Sequence, residues 1–243
     1  AEVMAAEHGV PVDGVSFDDG RVFARNESLS FGELAQLCWS RRVSLSSTGF
    51  YRTPKIYYDR DKAAGRPFYY YAYGVACVEV LVDTLTGEYR MLRGDILHDV
   101  GDSLNPAIDI GQVEGAFIQG MGWLTMEELV WNAKGKLMTN GPASYKIPAI
   151  ADMPIDLRVK LVENRKNPED TVFHSKAVGE PPFMLGIAVW CAIKDAVASL
   201  GDYRVQPLID APATPERVLW GVEQMRKLQQ TAKSAAATEA EPA

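Results

Sequence analysis

Residues that ligate metals are scarce in this chain. It has three cysteines, Cys38, Cys77 and Cys191, far apart and without a C-x-x-C pair. A [2Fe–2S] cluster normally needs four thiolates, so these residues cannot carry one alone. Their odd number argues against a disulfide scaffold and favours a reducing, cytoplasmic setting. His8, His98 and His174 are equally scattered and form no H-E-x-x-H. With no set of side chains spaced to hold a metal, any metal must arrive already ligated. Long apolar runs are also missing. The longest, residues 183–193, stops at Lys194, short of the ~18 residues of a membrane span, and reads as a buried helix. Nor is there an excess of positive charge. Lys and Arg number 25 against 32 Asp and Glu, a formal net charge of −7, which leaves no footprint for nucleic acid or anionic lipid. No secretory signal opens the chain. Ala1-Glu2-Val3-Met4-Ala5-Ala6-Glu7 has helical composition but no capping residue ahead of it. The expectation is a fragment, or one piece of a split subunit.

What is present suits a globular protein: 47% hydrophobic and 23% charged residues in a chain of 243, enough for a real core. Val15-Ser16-Phe17 and Arg21-Val22-Phe23 alternate about Asp18-Asp19-Gly20, a predicted β-hairpin. Ser30 and Glu33 have capping-box spacing, with Leu34, Leu37 and Cys38 following on one helical face. Residues 68–83, rich in aromatic and β-branched side chains, predict a long strand. Thr84-Leu85-Thr86-Gly87 turns it into a second strand over 88–92. Residues 111–128 predict a helix, although Gly115, Gly120 and Gly122 each weaken one by about 1 kcal/mol relative to Ala. Three such residues imply close backbone approach to a neighbouring element or a ligand. Residues 155–162 alternate as a strand. Residues 183–200 predict an apolar helix entered through Pro181-Pro182 and stopped by Gly201. Strands and helices mix without a βαβ rhythm, so the expected fold class is α+β, with mixed sheets and helices. The expected organisation is one region over 1–230 and a tail over 231–243 too poor in apolar surface to order itself.

Two segments draw attention to chemistry. One runs Asp99-Val100-Gly101-Asp102-Ser103-Leu104-Asn105-Pro106-Ala107-Ile108-Asp109-Ile110-Gly111-Gln112 and on to Gly122. The other is Ser175-Lys176-Ala177-Val178-Gly179-Glu180-Pro181-Pro182. In both, Gly and a polar residue sit just ahead of a predicted helix, where free N–H groups and the dipole suit an anion. Gln112 offers an amide donor and acceptor. Glu180, stiffened by the prolines behind it, is a candidate positioned base. Each piece alone also has an ordinary structural explanation: a capping acid, or a closely packed glycine helix.

Taken together, in this order and spacing, the two segments resemble the C-terminal part of the molybdenum hydroxylases, the xanthine oxidase family. The flanks agree: Val78-Glu79-Val80 with the Thr86-Gly87 turn, Gly141-Pro142 before Ser144-Tyr145-Lys146-Ile147-Pro148, and Pro215-Glu216-Arg217-Val218. The resemblance runs over nearly all of residues 1–225. Within the family, the stretch from Asn105 to Gln112 and Leu124-Thr125-Met126-Glu127-Glu128 look more like the xanthine dehydrogenases than aldehyde oxidases or carbon monoxide dehydrogenases. The resemblance implies a molybdenum-pterin cofactor with a terminal sulfido ligand, held by its own dithiolene. It implies that Glu180 is the general base at the metal and that Gln112 contacts the cofactor beside it. Lys176, Val178 and Gly179 match the stretch lying against the cofactor. The implied reaction oxidises hypoxanthine and xanthine to urate, with electrons leaving through [2Fe–2S] clusters and FAD to NAD. Those carriers are expected on other domains or chains. The implied partners are the remaining N-terminal part of the molybdenum subunit, an iron–sulfur/FAD subunit and a purine, in a dimer of the whole assembly. The family's substrate-orienting Glu, Arg and Phe lie upstream of the matched region. Two alternatives remain open: an aldehyde or other N-heterocycle hydroxylase of the same family, and a non-catalytic assembly subunit.

Overall fold

The computed structural model describes residues 1–239, with side chains to Thr231. Most of the tail for which the sequence predicts no order lies outside the described side chains. The chain divides into two units, Ala1–Lys55 and Ile56–Ala243.

The first unit holds α1 (Glu2–His8), β1 (Val15–Asp18), β2 (Arg21–Ala24), β3 (Glu27–Ser30) and α2 (Phe31–Ser40). The strands form an antiparallel sheet in the order β1-β2-β3, with Val15 opposite Ala24 and Asp18 opposite Arg21. Asp19 and Gly20 both take positive φ, 42° and 70°, which a two-residue hairpin turn with the sheet's own twist demands. The Ser30 hydroxyl accepts from the Glu33 N–H, and the Glu33 carboxylate accepts from the Ser30 N–H. That reciprocal box starts α2 as predicted. Met4, Val22, Ala24 and Leu34 form the small core of this unit.

The second unit begins with a short hairpin, β4 (Tyr57–Asp59) and β5 (Ala64–Arg66). Its main sheet is β6 (Gly74–Val82), β7 (Tyr89–His98) and β8 (Asp156–Leu161). β7 runs antiparallel to β6 and parallel to β8. Against this sheet pack α3 (Pro106–Thr125) and α4 (Ile187–Ala198), and α5 (Pro215–Glu239) packs on α4. Val113, Phe117 and Met121 of α3 meet Val189, Ile193 and Val197 of α4 and Val218, Val222 and Met225 of α5. Phe117, Val189 and Ile193 are fully buried, each contributing roughly 1.5–3 kcal/mol by area. The α+β expectation holds.

Four predicted boundaries move, the first being the strand expected over 88–92, which runs on from Tyr89 to His98. The strand expected from residue 68 starts at Gly74, because the partner ladder ends where Gly74 faces His98. Ahead of it the aromatic run is held by side chains instead: the Arg66 guanidinium donates to the Tyr69 carbonyl, and the Tyr70 hydroxyl accepts from the Ala177 N–H. The helix expected over 111–128 runs from Pro106 to Thr125, with the Asn105 carboxamide accepting from the Ile108 N–H as its cap. Gln112 therefore lies inside α3 rather than at its start. The apolar helix entered at the prolines is composite: a 3-10 stretch (Pro181–Gly186), then α4, then a 3-10 turn (Ser199–Gly201). Taken as one stretch, Pro181–Gly201 is long and apolar enough to cross a membrane. Its residues Val189, Ile193 and Val197 instead fill the centre of the core, which a buried helix of the same composition also does.

The glycines of α3 divide into two groups. A Cβ on Gly120 would overlap the Phe183 carbonyl, and one on Gly186 would come within 2.5 Å of the Met121 nitrogen. Here α3 and the 3-10 stretch touch backbone to backbone. Gly122 likewise leaves space for Pro148, 2.5 Å from where its Cβ would stand. Gly111 and Gly115 have nothing within 4 Å of a built Cβ. Replacing Gly by Ala inside a helix stabilises by about 1 kcal/mol where space allows, whereas overpacking costs about 1–3 kcal/mol. Gly115→Ala is thus expected to raise the melting temperature and Gly120→Ala to lower it. A rise for Gly120→Ala would contradict the backbone contact.

Candidate functional site

The side of α3 opposite the core carries Gly111, Gln112, Gly115 and Gln119, all exposed. Facing them is the segment Gly179-Glu180 with Phe183 at the start of the 3-10 stretch. Together with Ala116 these residues line a groove of about 410 Å³. The contact at Gly120 and Gly186 fixes this arrangement, since it seats the 3-10 stretch on α3 six residues past Glu180. A Cβ on Gly179 would stand 3.3 Å from Gln112 Oε1, so Gly at 179 keeps the Gln112 amide beside the Glu180 turn. The Phe183 ring stacks obliquely on Trp123, with centroids 4.8 Å apart.

Glu180 does not cap the stretch it precedes; no side-chain cap hydrogen bond forms there. Among the described residues neither its carboxylate nor the Gln112 amide has a hydrogen bond or ion pair. Both are free to meet a ligand. The floor between them, made of Gly111, Gly115 and Ala116, bears no long side chain. Such a surface accepts a flat, polar molecule, with amide and carboxylate groups at its edge. Among the described residues no group of three His, Cys, Asp or Glu could hold a metal ion. The amide and carboxylate on offer suit hydrogen bonding to a bound group rather than direct metal ligation.

Of the residues singled out in sequence, Gln112, Gly179 and Glu180 come together here. Val178 is half-buried and packs against the core. Lys176 turns away from the groove: its ammonium, 3% exposed, lies 2.6 Å from the Asp99 carboxylate, which is 2% exposed. Gln119, Phe183 and the small residues of the floor were not singled out. Their signal is the spacing 112, 115, 116, 119 on one helical face, which becomes legible once α3 is started at Pro106. A larger cavity of about 1280 Å³ opens elsewhere, among Leu81, Met91, Met121, Met126 and Ile147. It contains none of the three converging residues.

Next to the Asp99–Lys176 pair, His98 is 1% exposed. Among the described residues neither of its ring nitrogens has a partner. Gly74 leaves room for the ring, with Nδ1 2.5 Å from a built Cβ. Burial lowers the His98 pKa, and Lys176 lowers it further, against an opposing pull from Asp99.

Comparison with known proteins identifies the class. Residues 1–154 match the model of the molybdopterin cofactor-binding domain, and the chain belongs to that family. The particular relatives are narrower. The chain is 50% identical over 200 residues to xanthine dehydrogenase/oxidase of Mus musculus, covering 80% of this chain and 15% of that protein. It is 49% identical over 208 residues to xanthine dehydrogenase of Oryza sativa subsp. japonica, covering 81% and 15%. The chain thus spans about 15% of the length of these relatives. Quinoline 2-oxidoreductase from Pseudomonas putida 86 shares the fold, with a TM-score of 0.58 at 23% identity over 90% of this chain and 27% of that one.

The environment of His98 carries a pH dependence. An unfolded imidazole titrates near about 6.5, and the folded one below that. The folded state therefore binds fewer protons, so stability is full above that value and falls as pH drops toward the folded pKa. Urea midpoints measured between pH 8 and pH 5 are expected to decline for the wild type and to decline less for His98→Leu. Equal slopes would contradict a neutral buried imidazole.

Proposed function

We propose that this chain is the C-terminal catalytic segment of the molybdenum subunit of a xanthine dehydrogenase, acting in the cytoplasm on hypoxanthine and xanthine. The observation that carries the reading is the groove in which Gln112, Gly179 and Glu180 converge, in a chain half identical to xanthine dehydrogenases over four-fifths of its length. A molybdenum-pterin cofactor, when bound, supplies a metal centre able to take two electrons from the substrate. The Gln112 amide then donates to or accepts from the cofactor beside the metal. Gly179 keeps the approach open, and Phe183, stacked on Trp123, lines the groove beside it. The Glu180 carboxylate, without a hydrogen bond or ion pair among the described residues, accepts and holds the proton released as substrate is oxidised. It has this role only when ionised. The [2Fe–2S] and FAD groups on other domains or chains would supply the path for the electrons to NAD. The identity to xanthine dehydrogenases favours a purine over the aldehyde and other N-heterocycle substrates of the wider family.

Gln112→Ala removes one amide from the groove while leaving the buried face of α3 untouched. It is expected to lower molybdenum content or turnover, by an amount corresponding to about 1–3 kcal/mol if the lost bond leaves cofactor atoms unpaired. Wild-type content together with wild-type turnover would count against it.

Glu180→Gln is the sharper test. The amide keeps the shape but cannot take up the proton. In the assembled enzyme, reduction by xanthine is expected to slow at least about 10²–10⁴-fold, the usual contribution of a positioned base. Molybdenum content and melting temperature should not change. A fully loaded variant within a few-fold of wild type would remove Glu180 from the mechanism.

A further inference from the structure

The segment carrying Glu180 is fastened on both sides. Behind it, Pro181–Gly186 sits backbone to backbone on α3. Ahead of it, Lys176 reaches back across the fold to Asp99, just past the end of β7. That contact is unusually complete. The ammonium and carboxylate are 2.6 Å apart, and both are almost wholly buried. The Lys176 N–H donates to the Val100 carbonyl at 2.7 Å, and Gly101 bridges to Ser175. The other Asp99 oxygen accepts from the Gly101 N–H at 2.9 Å. Arg165 approaches the same carboxylate at 3.4 Å from the surface. The Tyr73 ring lies 5.3 Å from the Lys176 ammonium. Gly101 has φ 65°, and a side chain there would overlap the His174 carbonyl.

A buried ion pair is a poor source of net stability, because desolvating both charges offsets their attraction. Its use is geometric: a buried charge tolerates only the register that brings it to its partner. The partner here stands at the head of the turn that leads through Asn105 into α3 and Gln112. One pair therefore fixes the origin of both arms of the groove.

We propose that Asp99 and Lys176 are positioning residues for Glu180, clamping residues 174–180 to the turn after β7 so that the carboxylate faces Gln112 at a set distance. The proposal rests on Glu180 acting as the base. It assigns Lys176 a role through Asp99 rather than through contact with the cofactor.

The test uses the assembled enzyme with Asp99→Asn and Lys176→Met combined, which removes both charges without leaving one buried alone. Molybdenum content, kcat, KM and amide exchange over residues 174–180 are measured, with Glu180→Gln alongside. Expected are full loading, unchanged KM, faster exchange over that segment, and a fall in kcat of about 10²-fold, the scale of a 1 Å misplacement of a catalytic group. A loaded double variant with wild-type kcat, or with lowered kcat but wild-type exchange, overturns the proposal. If the double variant does not fold, Lys176→Arg decides, since it keeps the charge and moves it. Lowered kcat with unchanged KM and faster exchange supports the clamp, and wild-type kcat overturns it. If Glu180→Gln itself turns over normally, the base assignment fails, and the exchange rates alone then decide whether the clamp exists.

Discussion

Where Gly120 of α3 meets Phe183 and Gly186, two stretches of backbone touch with no side chain between them. A single methyl group on either glycine would push them apart. Because interiors are packed to crystal density, that displacement cannot be absorbed by neighbours such as Phe117, Met121 and Val189, which are already fully or nearly fully buried. The position of Glu180 relative to Gln112 follows from this contact. So does the oblique stacking of Phe183 on Trp123. The helix pays for the close approach with lowered intrinsic propensity, and the core packing of its other face compensates.

The groove is a consequence of one helix having two unlike faces. Val113, Phe117 and Met121 bind α3 to the core. Gly111, Gly115 and the two glutamines are left outside, where they stabilise nothing in the fold itself. A glycine inside a helix that neither turns nor packs is costly without return, unless something else is to lie on it. Gly111 and Gly115 meet that description, and Gly120 and Gly122 do not. Of the two kinds of close approach raised by the sequence, the one to a neighbouring element is found at Gly120 and Gly122, and the one to a ligand belongs to the proposed function of the groove.

Much of this was legible in the residues. The Asp-Gly hairpin, the Ser30–Glu33 box, the apolar α4 and the pairing of the Gln112 and Glu180 segments follow from local rules or from family resemblance. The rest depended on tertiary context. Phe68 to Tyr73 have strand composition, but a strand needs a partner, and β7 ends opposite Gly74. A helix start at residue 111 is five residues too late. Asn105 and Pro106 were the better cap and first-turn signal. The resemblance puts Lys176 in a stretch lying against the cofactor, while its ammonium goes to Asp99, 77 residues away. No pattern along the chain announces such a pair.

The central claim is that the groove between α3 and residues 179–183 holds a molybdenum-pterin cofactor. An experimental structure of the assembled, loaded enzyme tests it most directly. The account predicts the cofactor seated in this groove, with the Gln112 amide and the Glu180 carboxylate among the residues that face it. A cofactor bound elsewhere, with Glu180 facing bulk water or another part of the protein, would contradict it.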